Sequence, residues 1–204
     1  MNPRFAQIAF TPAVKRLQER DGSRFAYERA EAGGAAADVL GPQEAAFIAE
    51  RDSFFMASVG ETGWPYLQHR GGPAGFLKPL DASVLAFADF RGNRQHVSEG
   101  NLRGNDRVAL ILMDYVHRRR LKILGRARAI DAQDDPALID ALRHPAYRAR
   151  VERAVVIRVE AFDWNCPQHL TPRFSAAEVE SVLAPLRDRI LELERRLGIG
   201  GAPA

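Results

Sequence analysis

The sequence predicts a mainly β chain with helices, in which six strands form an antiparallel barrel flanked by N-terminal and C-terminal helical segments. Three observations predict it. Six short apolar or alternating runs lie between Ser53 and Phe162, mostly separated by turn residues, a pattern that favours antiparallel pairing over a parallel sheet. The stretch before Ser53 places Thr and Pro where helices start, and the stretch after Phe162 ends in an apolar stripe of helical period. No internal repeat or low-complexity linker divides the chain. Residues 1–204 therefore read as one domain, with a helical extension over 1–50, the barrel over 52–163 and a helix over 175–197.

From Thr11 to Glu31 the pattern is helical: Thr11 can cap, Pro12 suits the first turn, and Asp21-Gly22 interrupts before a second short helix through Phe25 and Tyr27. Gly33-Gly34 and three alanines make a flexible joint. Pro42 opens a short helix that ends near Arg51. The strands follow: the run from Ser53 to Val59, the turn Gly60–Gly63, and the run Trp64–Arg70, which together make a hairpin. Val84–Ala88, Arg107–Met113, Arg119–Ile130 and Ala154–Phe162 complete the six. In the fifth, Leu121, Ile123, Gly125 and Ala127 alternate with Lys122, Leu124, Arg126 and Arg128, as a half-buried strand requires. Two helices interrupt the strands, one from Asn93 to about Leu102 and one from Asp134 to Arg150, broken at Pro145.

Ser175 and Glu178 form a capping box for the last helix. Val179, Val182, Leu186, Ile190, Leu193 and Leu197 lie on one stripe, Pro185 kinks or restarts the helix, and Gly198 and Gly200 end it. The stripe has two readings at this point: docking on its own barrel, or pairing with a partner subunit.

Bulk properties exclude several classes. Of 204 residues 46% are hydrophobic, enough for a substantial core. The net charge of +3 arises from 29 basic and 26 acidic residues interspersed along the chain, an excess too small to argue for nucleic acid. A single cysteine, Cys166, excludes an internal disulfide and a multi-thiolate metal site. No apolar run approaches the roughly 20 residues that span a bilayer, and no signal peptide is visible, so a cytoplasmic protein without membrane contact is expected.

Four segments can carry chemistry. Gln68-His69-Arg70-Gly71-Gly72-Pro73 sets a planar cation beside glycines that let a ligand approach the backbone. In Asp89-Phe90-Arg91-Gly92-Asn93-Arg94-Gln95, Gly92 can take a positive φ and Asn93 can cap. The amides of Asn93, Arg94 and Gln95 would then open a helix, whose start is a natural phosphate seat. Tyr115-Val116-His117-Arg118-Arg119-Arg120 is a basic hairpin tip; with no interleaved aromatic platform it reads as solvated rather than as a nucleic-acid site. The loop from Asp163 through Trp164, Cys166, Gln168 and His169 to Arg173 is dense in functional side chains and stiffened by two prolines. Cys166 and His169 lack further metal ligands or an orienting group, so Cys166 is expected as a small buried apolar residue. No zinc-protease, Walker or dinucleotide motif appears, and no metal site is expected.

Taken together these segments resemble the FMN-binding split barrels related to pyridoxamine 5'-phosphate oxidase, closest to the subgroup of predicted flavin-nucleotide-binding proteins. The resemblance covers nearly the whole chain and rests on Gly63–Pro73, Phe87–Gln95 and Asn165-Cys166-Pro167-Gln168-His169. It implies a split barrel that is a homodimer with FMN between subunits. It points to Gln68, His69, Arg70 and Gly71 and to Asn93, Arg94 and Gln95 as the phosphate segments, with the backbone of Phe87, Ala88 and Asp89 edging the ring. From the partner subunit it implies Arg119, Arg120, Trp164 and Gln168, with His69 or Arg119 near the flavin N1–C2=O edge. His169 and Arg173 are the expected substrate contacts. The chain departs from the oxidase itself. Its second strand reads Gln68-His69-Arg70-Gly71-Gly72 in place of Arg-x-Val-Leu-Leu-Lys, and its turn Asn93-Arg94-Gln95 in place of Ser-Arg-Lys. No Arg-x-His substrate motif is evident, and no catalytic residue declares itself. The expectation is an FMN-dependent oxidoreductase for a small-molecule substrate, and its alternative is a non-catalytic flavin or haem carrier or sensor.

Overall fold

The computed structural model describes residues 1–33 and 36–199. The chain forms two compact units, one of Met1–Asp114 with Arg119–Pro167, the other of Tyr115–Arg118 with the chain from Gln168 onward.

The first unit opens with α1 (Pro3–Ala9), α2 (Pro12–Arg20), α3 (Arg24–Glu31) and α4 (Pro42–Ala49). Thr11 caps α2 by accepting from the Val14 amide at 3.4 Å, and Gly22, at φ +71°, makes the interruption before α3. α1 is an addition to the expected helices; Pro3 starts it, and Phe5 and Ala6 bury its inner side. The joint at Gly34 and Ala35 lies outside the described residues.

The strands are β1 (Ser53–Val59), β2 (Pro65–Gly71), β3 (Leu77–Pro79), β4 (Val84–Phe90), β5 (Arg107–Asp114), β6 (Arg119–Asp131) and β7 (Val151–Asn165). All pair antiparallel in one sheet of order β2-β1-β5-β6-β7-β4-β3. This corrects the expected six strands to seven. β3 escaped because three residues, one a lysine and one a proline, show no period. It also corrects the barrel, which is not closed: among the described residues no ladder joins β2 to β3. The sheet nevertheless curls far enough for Phe54 on β1 to meet Phe87 on β4, with ring centroids 5.3 Å apart, although three strands lie between them in the order.

Alternation fills the inside of that curl. Phe54 and Met56 on β1, Val108, Leu110 and Leu112 on β5, Leu121 and Ile123 on β6, and Val155, Ile157 and Val159 on β7 form one core with Phe47, Ile48, Phe76, Leu77, Leu85 and Phe87. Each such side chain contributes roughly 1.5–3 kcal/mol of burial. β4 is buried on both faces. Its Ala86 and Ala88, with Ala154 of β7, pack under α6 (Pro136–Leu142) through Ile139 and Leu142. Small residues on that outer face let the helix approach. The expected helix from Asp134 to Arg150 is therefore only α6, capped by Asp135, whose carboxylate accepts from the Leu138 amide. Residues 143–150 are irregular, as the Pro145 break suggests.

α5 (Val97–Gly104) begins four residues later than expected. Cys166 is exposed, not buried: it follows the last paired residue of β7, Asn165, and precedes Pro167, so no packed layer receives it. In the second unit α7 (Ala176–Leu197) runs through Pro185 as one helix, with the Ser175–Glu178 capping box at its start and Gly198, at φ +68°, at its end. Gly200 lies outside the described residues. Among the described residues no helix is long and apolar enough to cross a membrane.

Candidate functional site

β2 is an edge strand, and its alternation decides which of its residues face the cleft. Tyr66, Gln68 and Arg70 pair with Ser58, Met56 and Phe54 and share their inward face. His69 therefore points to the opposite face, where its ring stands 5.4 Å from that of Phe55. Inward of β2 lies a small cleft of about 80 Å³ lined by Tyr66, Gln68, Arg70, Asp89, Phe90, residues 92–99, Glu152 and Arg153.

Three expected residues from β2 and β4 meet here. Arg70 Nη1 donates to Asp89 Oδ1 at 2.7 Å, and Arg153 Nη1 donates to Asp89 Oδ2 at 3.2 Å. All three side chains are largely buried. Arg70 Nε is buried with no hydrogen-bond partner, an orphan donor that costs about 1–3 kcal/mol unless a ligand accepts from it. Gln68 accepts from Ser98 Oγ at 2.9 Å, and Asn101 Nδ2 donates to Ser58 Oγ at 3.0 Å, so two side-chain bonds fasten α5 against the inner face of β1 and β2.

Asn93, Arg94 and Gln95 reach the cleft, but not as the start of a helix. Gly92 is not in the left-handed region; Arg94 (φ +60°) and His96 (φ +55°) are. Asn93 Oδ1 accepts from the Gln95 amide at 3.2 Å, closing a local turn rather than capping α5. The free helix-start amides are those of Val97, Ser98 and Glu99, which line the same cleft. Two non-glycine residues held left-handed in a short loop are strained, as at ligand-holding segments.

Glu152 is placed by a bulge. Asp89 pairs with Arg153 and Phe90 with Val151, so Glu152 is left over and its side chain is re-aimed. Its carboxylate accepts from Arg94 Nη2 at 2.9 Å, and Arg91 Nε lies 3.8 Å away. The Arg94 hydrogen bond is the largest influence on Glu152 and, with Arg153 and Arg91 nearby, holds its carboxyl below the usual range. At Glu99 burial pushes the carboxyl up, but Arg103, Arg153 and His96 together outweigh it and hold it down. The lining thus sets Arg70, Arg94 and Arg153 against Asp89, Glu99 and Glu152. His96 Nδ1 sits 2.8 Å from Glu99 Oε2, which orients the ring and leaves Nε2 without a partner.

A second cleft, of about 130 Å³, shares Arg70, Asp89 and Phe90 and adds His69, Gly71, Phe76, Phe87 and Ala88. β3 is too short to pair with β4 beyond Phe87, so the backbone edge of Ala88–Phe90 is open on that side. The Phe87 side chain itself belongs to the core. Across Phe90, whose ring stacks edge-on against Tyr147 at 4.9 Å, a third cavity is lined by Arg143, His144, Arg148 and Arg150. Arg143 is paired with Asp140, whereas the Arg148 and Arg150 side chains have no partner among the described residues.

The remaining expected residues stand elsewhere. Arg119 lies over the Trp164 ring at 4.6 Å, Trp164 Nε1 donates to Glu44 at 2.8 Å, and Arg120 Nη2 donates to the Cys166 carbonyl at 2.6 Å. Arg120 pairs with Asn165 at one end of the β6–β7 ladder, and Asp131 with Arg153 at the other. The two ends are roughly 35–40 Å apart at about 3.3 Å per residue. Within one chain these residues are therefore not brought to the cleft. Gln168, His169 and Arg173 belong to the second unit, where Arg173 lies 5.0 Å from the Tyr115 ring and His169 is exposed at φ +59°.

Glu99, Glu152, Arg153 and His96 were not foreseen. The first three signal themselves only through tertiary pairing. His96 had a local signal, its spacing of three from Glu99, which reads equally as a helix-start pair.

A family model described as pyridoxamine 5'-phosphate oxidase matches residues 40–165. No curated protein sequence matches. Among solved structures, HupZ from Group A Streptococcus is 13% identical, with 66% of this chain and 100% of that one covered and a TM-score of 0.48. A protein from Clostridium acetobutylicum related to general stress protein 26 of B. subtilis is 15% identical, with 67% and 94% covered and a TM-score of 0.47. An FMN-binding protein from Syntrophomonas wolfei is 12% identical, with 59% and 81% covered and a TM-score of 0.42.

Proposed function

Since this chain belongs to the pyridoxamine 5'-phosphate oxidase family, we propose that it binds FMN beside Arg70 and acts as an FMN-dependent oxidoreductase on a small-molecule substrate. The observation that carries the reading is the buried, partnerless Nε of Arg70 in a cleft that also holds Arg94. A phosphate oxygen is the acceptor that this donor lacks. Arg70, Arg94, Asn93, Gln95 and Gln68 would hold the phosphate. The open backbone edge at Phe87, Ala88 and Asp89, rimmed by His69 and Gly71, would take the ring system.

A second copy of the chain completes the reading. Arg119, Arg120, Trp164 and Gln168 are far from the cleft of their own chain or in the other unit, so in a homodimer they would come from the partner. His169 and Arg173 would then meet the substrate. The unpaired Arg148 and Arg150 beyond Phe90 favour an anionic substrate.

FMN, when bound, would supply hydride exchange, while the protein would bind and orient it. Arg70 and Arg94 anchor. Asp89 and Glu152 are their counter-charges. His96, with Nδ1 fixed by Glu99, holds or accepts a proton at Nε2.

The test is a visible absorption spectrum of the purified protein with added FMN, followed by anaerobic mixing with reduced nicotinamide cofactor. A bound-flavin spectrum that bleaches supports the enzyme. A bound flavin that does not bleach leaves the carrier or sensor reading. No change in the FMN spectrum removes both.

A further inference from the structure

We propose that α7 pairs in parallel and in register with α7 of a second copy of this chain, as a short two-stranded coiled coil. None of its 22 residues is buried in the structure, yet the helix is strongly amphipathic in sequence. Among its large apolar residues, Val179, Leu183, Leu186, Ile190, Leu193 and Leu197 make a continuous seam, with Val182 flanking it and Leu191 off it. The steps along the seam are four, three, four, three and four residues. That is the 3.5-residue period of a coiled-coil seam, widened only at its first heptad by Val182 at g. With Leu183, Ile190 and Leu197 at a, the d positions are Val179, Leu186 and Leu193. Leucine at two of three d positions with isoleucine at the central a position favours two strands. Each seam residue is 37–68% exposed, so the whole seam is open to a partner.

Charge selects both the partner and its direction. In this register Arg189 occupies g, and Glu194, five residues on, occupies the following e position, which is the pair that faces across a parallel dimer. Glu194 has no side-chain partner among the described residues, and Arg189 is satisfied only by the exposed Glu192 of its own helix. Two-fold symmetry makes the contact twice. The antiparallel alternative, centred on Arg187, sets Arg187 against its own copy and Glu180 against Glu194, all like charges. Pro185 falls at c, outside the seam, so its missing amide does not disturb the interface. The inference does not depend on the flavin, and its test reads no flavin property.

The experiment is disulfide trapping in the full chain with Cys166→Ser as background, followed by non-reducing electrophoresis. Val179→Cys and Leu193→Cys, made separately, should each give a covalent homodimer under mild oxidation, because identical d positions face each other in a parallel pair. An antiparallel pair sets Leu193 opposite Leu183, so it would cross-link only when Leu193→Cys is mixed with Leu183→Cys, and that result overturns the proposal. No cross-link in any combination, as for a helix covered by its own chain, overturns it too. Within the Leu193→Cys protein, Arg189→Glu should cut the cross-linking rate severalfold, and adding Glu194→Arg should restore it. A rate indifferent to both changes would remove the charge assignment and with it the parallel register.

Discussion

Glu152, the residue of β7 that the bulge leaves without a partner on β4, holds Arg94 through a 2.9 Å ion pair. Bulge and strained loop thus meet in one contact. A ligand phosphate that recruits Arg94 must displace this carboxylate. Arg94→Ala is expected to weaken FMN binding by about 1.5–3 kcal/mol, the range for a charge-assisted hydrogen bond. Glu152→Gln is expected to tighten it about two- to fivefold, since an exposed ion pair is worth about 0.2–1 kcal/mol. Fluorescence titration of FMN on both variants checks the pair. Unchanged affinity in Arg94→Ala would refute the phosphate assignment, and weakened binding in Glu152→Gln would show that Glu152 supports the ligand instead of competing with it.

Arg70 separates charge from shape. Arg70→Lys keeps a cation for Asp89, which Arg153 also serves, so the melting temperature should stay within about 2–4 °C of the parent, equivalent to about 1 kcal/mol for a chain of this size. The fork and the free Nε are lost, and FMN affinity should fall about tenfold or more. A lysine variant that binds FMN as well as the parent would mean that the orphan donor is not the anchor.

Acid should loosen this end of the sheet and the N-terminal helices together. Glu152, Glu99 and Glu31 all have carboxyls held below the ordinary glutamate value of 4.5; at Glu31 hydrogen bonds from Lys15 and Arg24 are the main cause. A depressed folded-state pKa gives stability that is fully present above the unfolded value and lost as pH falls through the folded one. Urea midpoints are therefore expected to be flat with respect to these groups from pH 7 to about 5, and to drop below about 4.5. The same midpoint at pH 3.5 as at pH 6 would contradict the assignment.

Much of this architecture was legible because it rests on period and punctuation. The alternation of Leu121, Ile123, Gly125 and Ala127 became the inward face of β6, and Gly60–Gly63 became the first hairpin turn. β3 was missed because Leu77-Lys78-Pro79 is too short for any period to show. The start of α5 was misplaced because Asn93 offers a capping side chain that the chain spends on a local turn, and the fold instead bends at Arg94 and His96. At the cleft, Arg70, Asn93, Arg94 and Gln95 were nameable from residue types beside glycine, and Gln68 from the family resemblance. Their counter-charges were not: Asp89 and Arg153 are 64 residues apart, and Glu152 reaches Arg94 only because a strand pairing slips by one. Register shifts leave no mark in a single sequence.

A second slip in the same strand gives a test of the fold alone. Leu124 pairs with Ala161 and Gly125 with Val159, so Glu160 is the extra residue there. Its carboxylate takes Arg126 at 3.2 Å and Arg158 at 3.1 Å. Gly125 is what lets the two strands close over that bulge. A Cβ at this position would stand 2.7 Å from the Arg158 carbonyl oxygen and 2.8 Å from Ile157 Cγ2. The first is backbone in a central ladder and the second a branch of a fully buried side chain, so neither can yield without moving its strand. Gly125→Ala should therefore destabilise by about 1–3 kcal/mol, as overpacking does. For a chain of this length that lowers the melting temperature by roughly 3–10 °C. The Glu160 ion pairs are on the far side of the bulge and should not offset the loss. Thermal unfolding followed by circular dichroism reads the result. A variant that melts at the parent temperature would show that β6 and β7 do not approach this closely at the bulge, and the register assigned to Gly125 and Val159 would have to be abandoned.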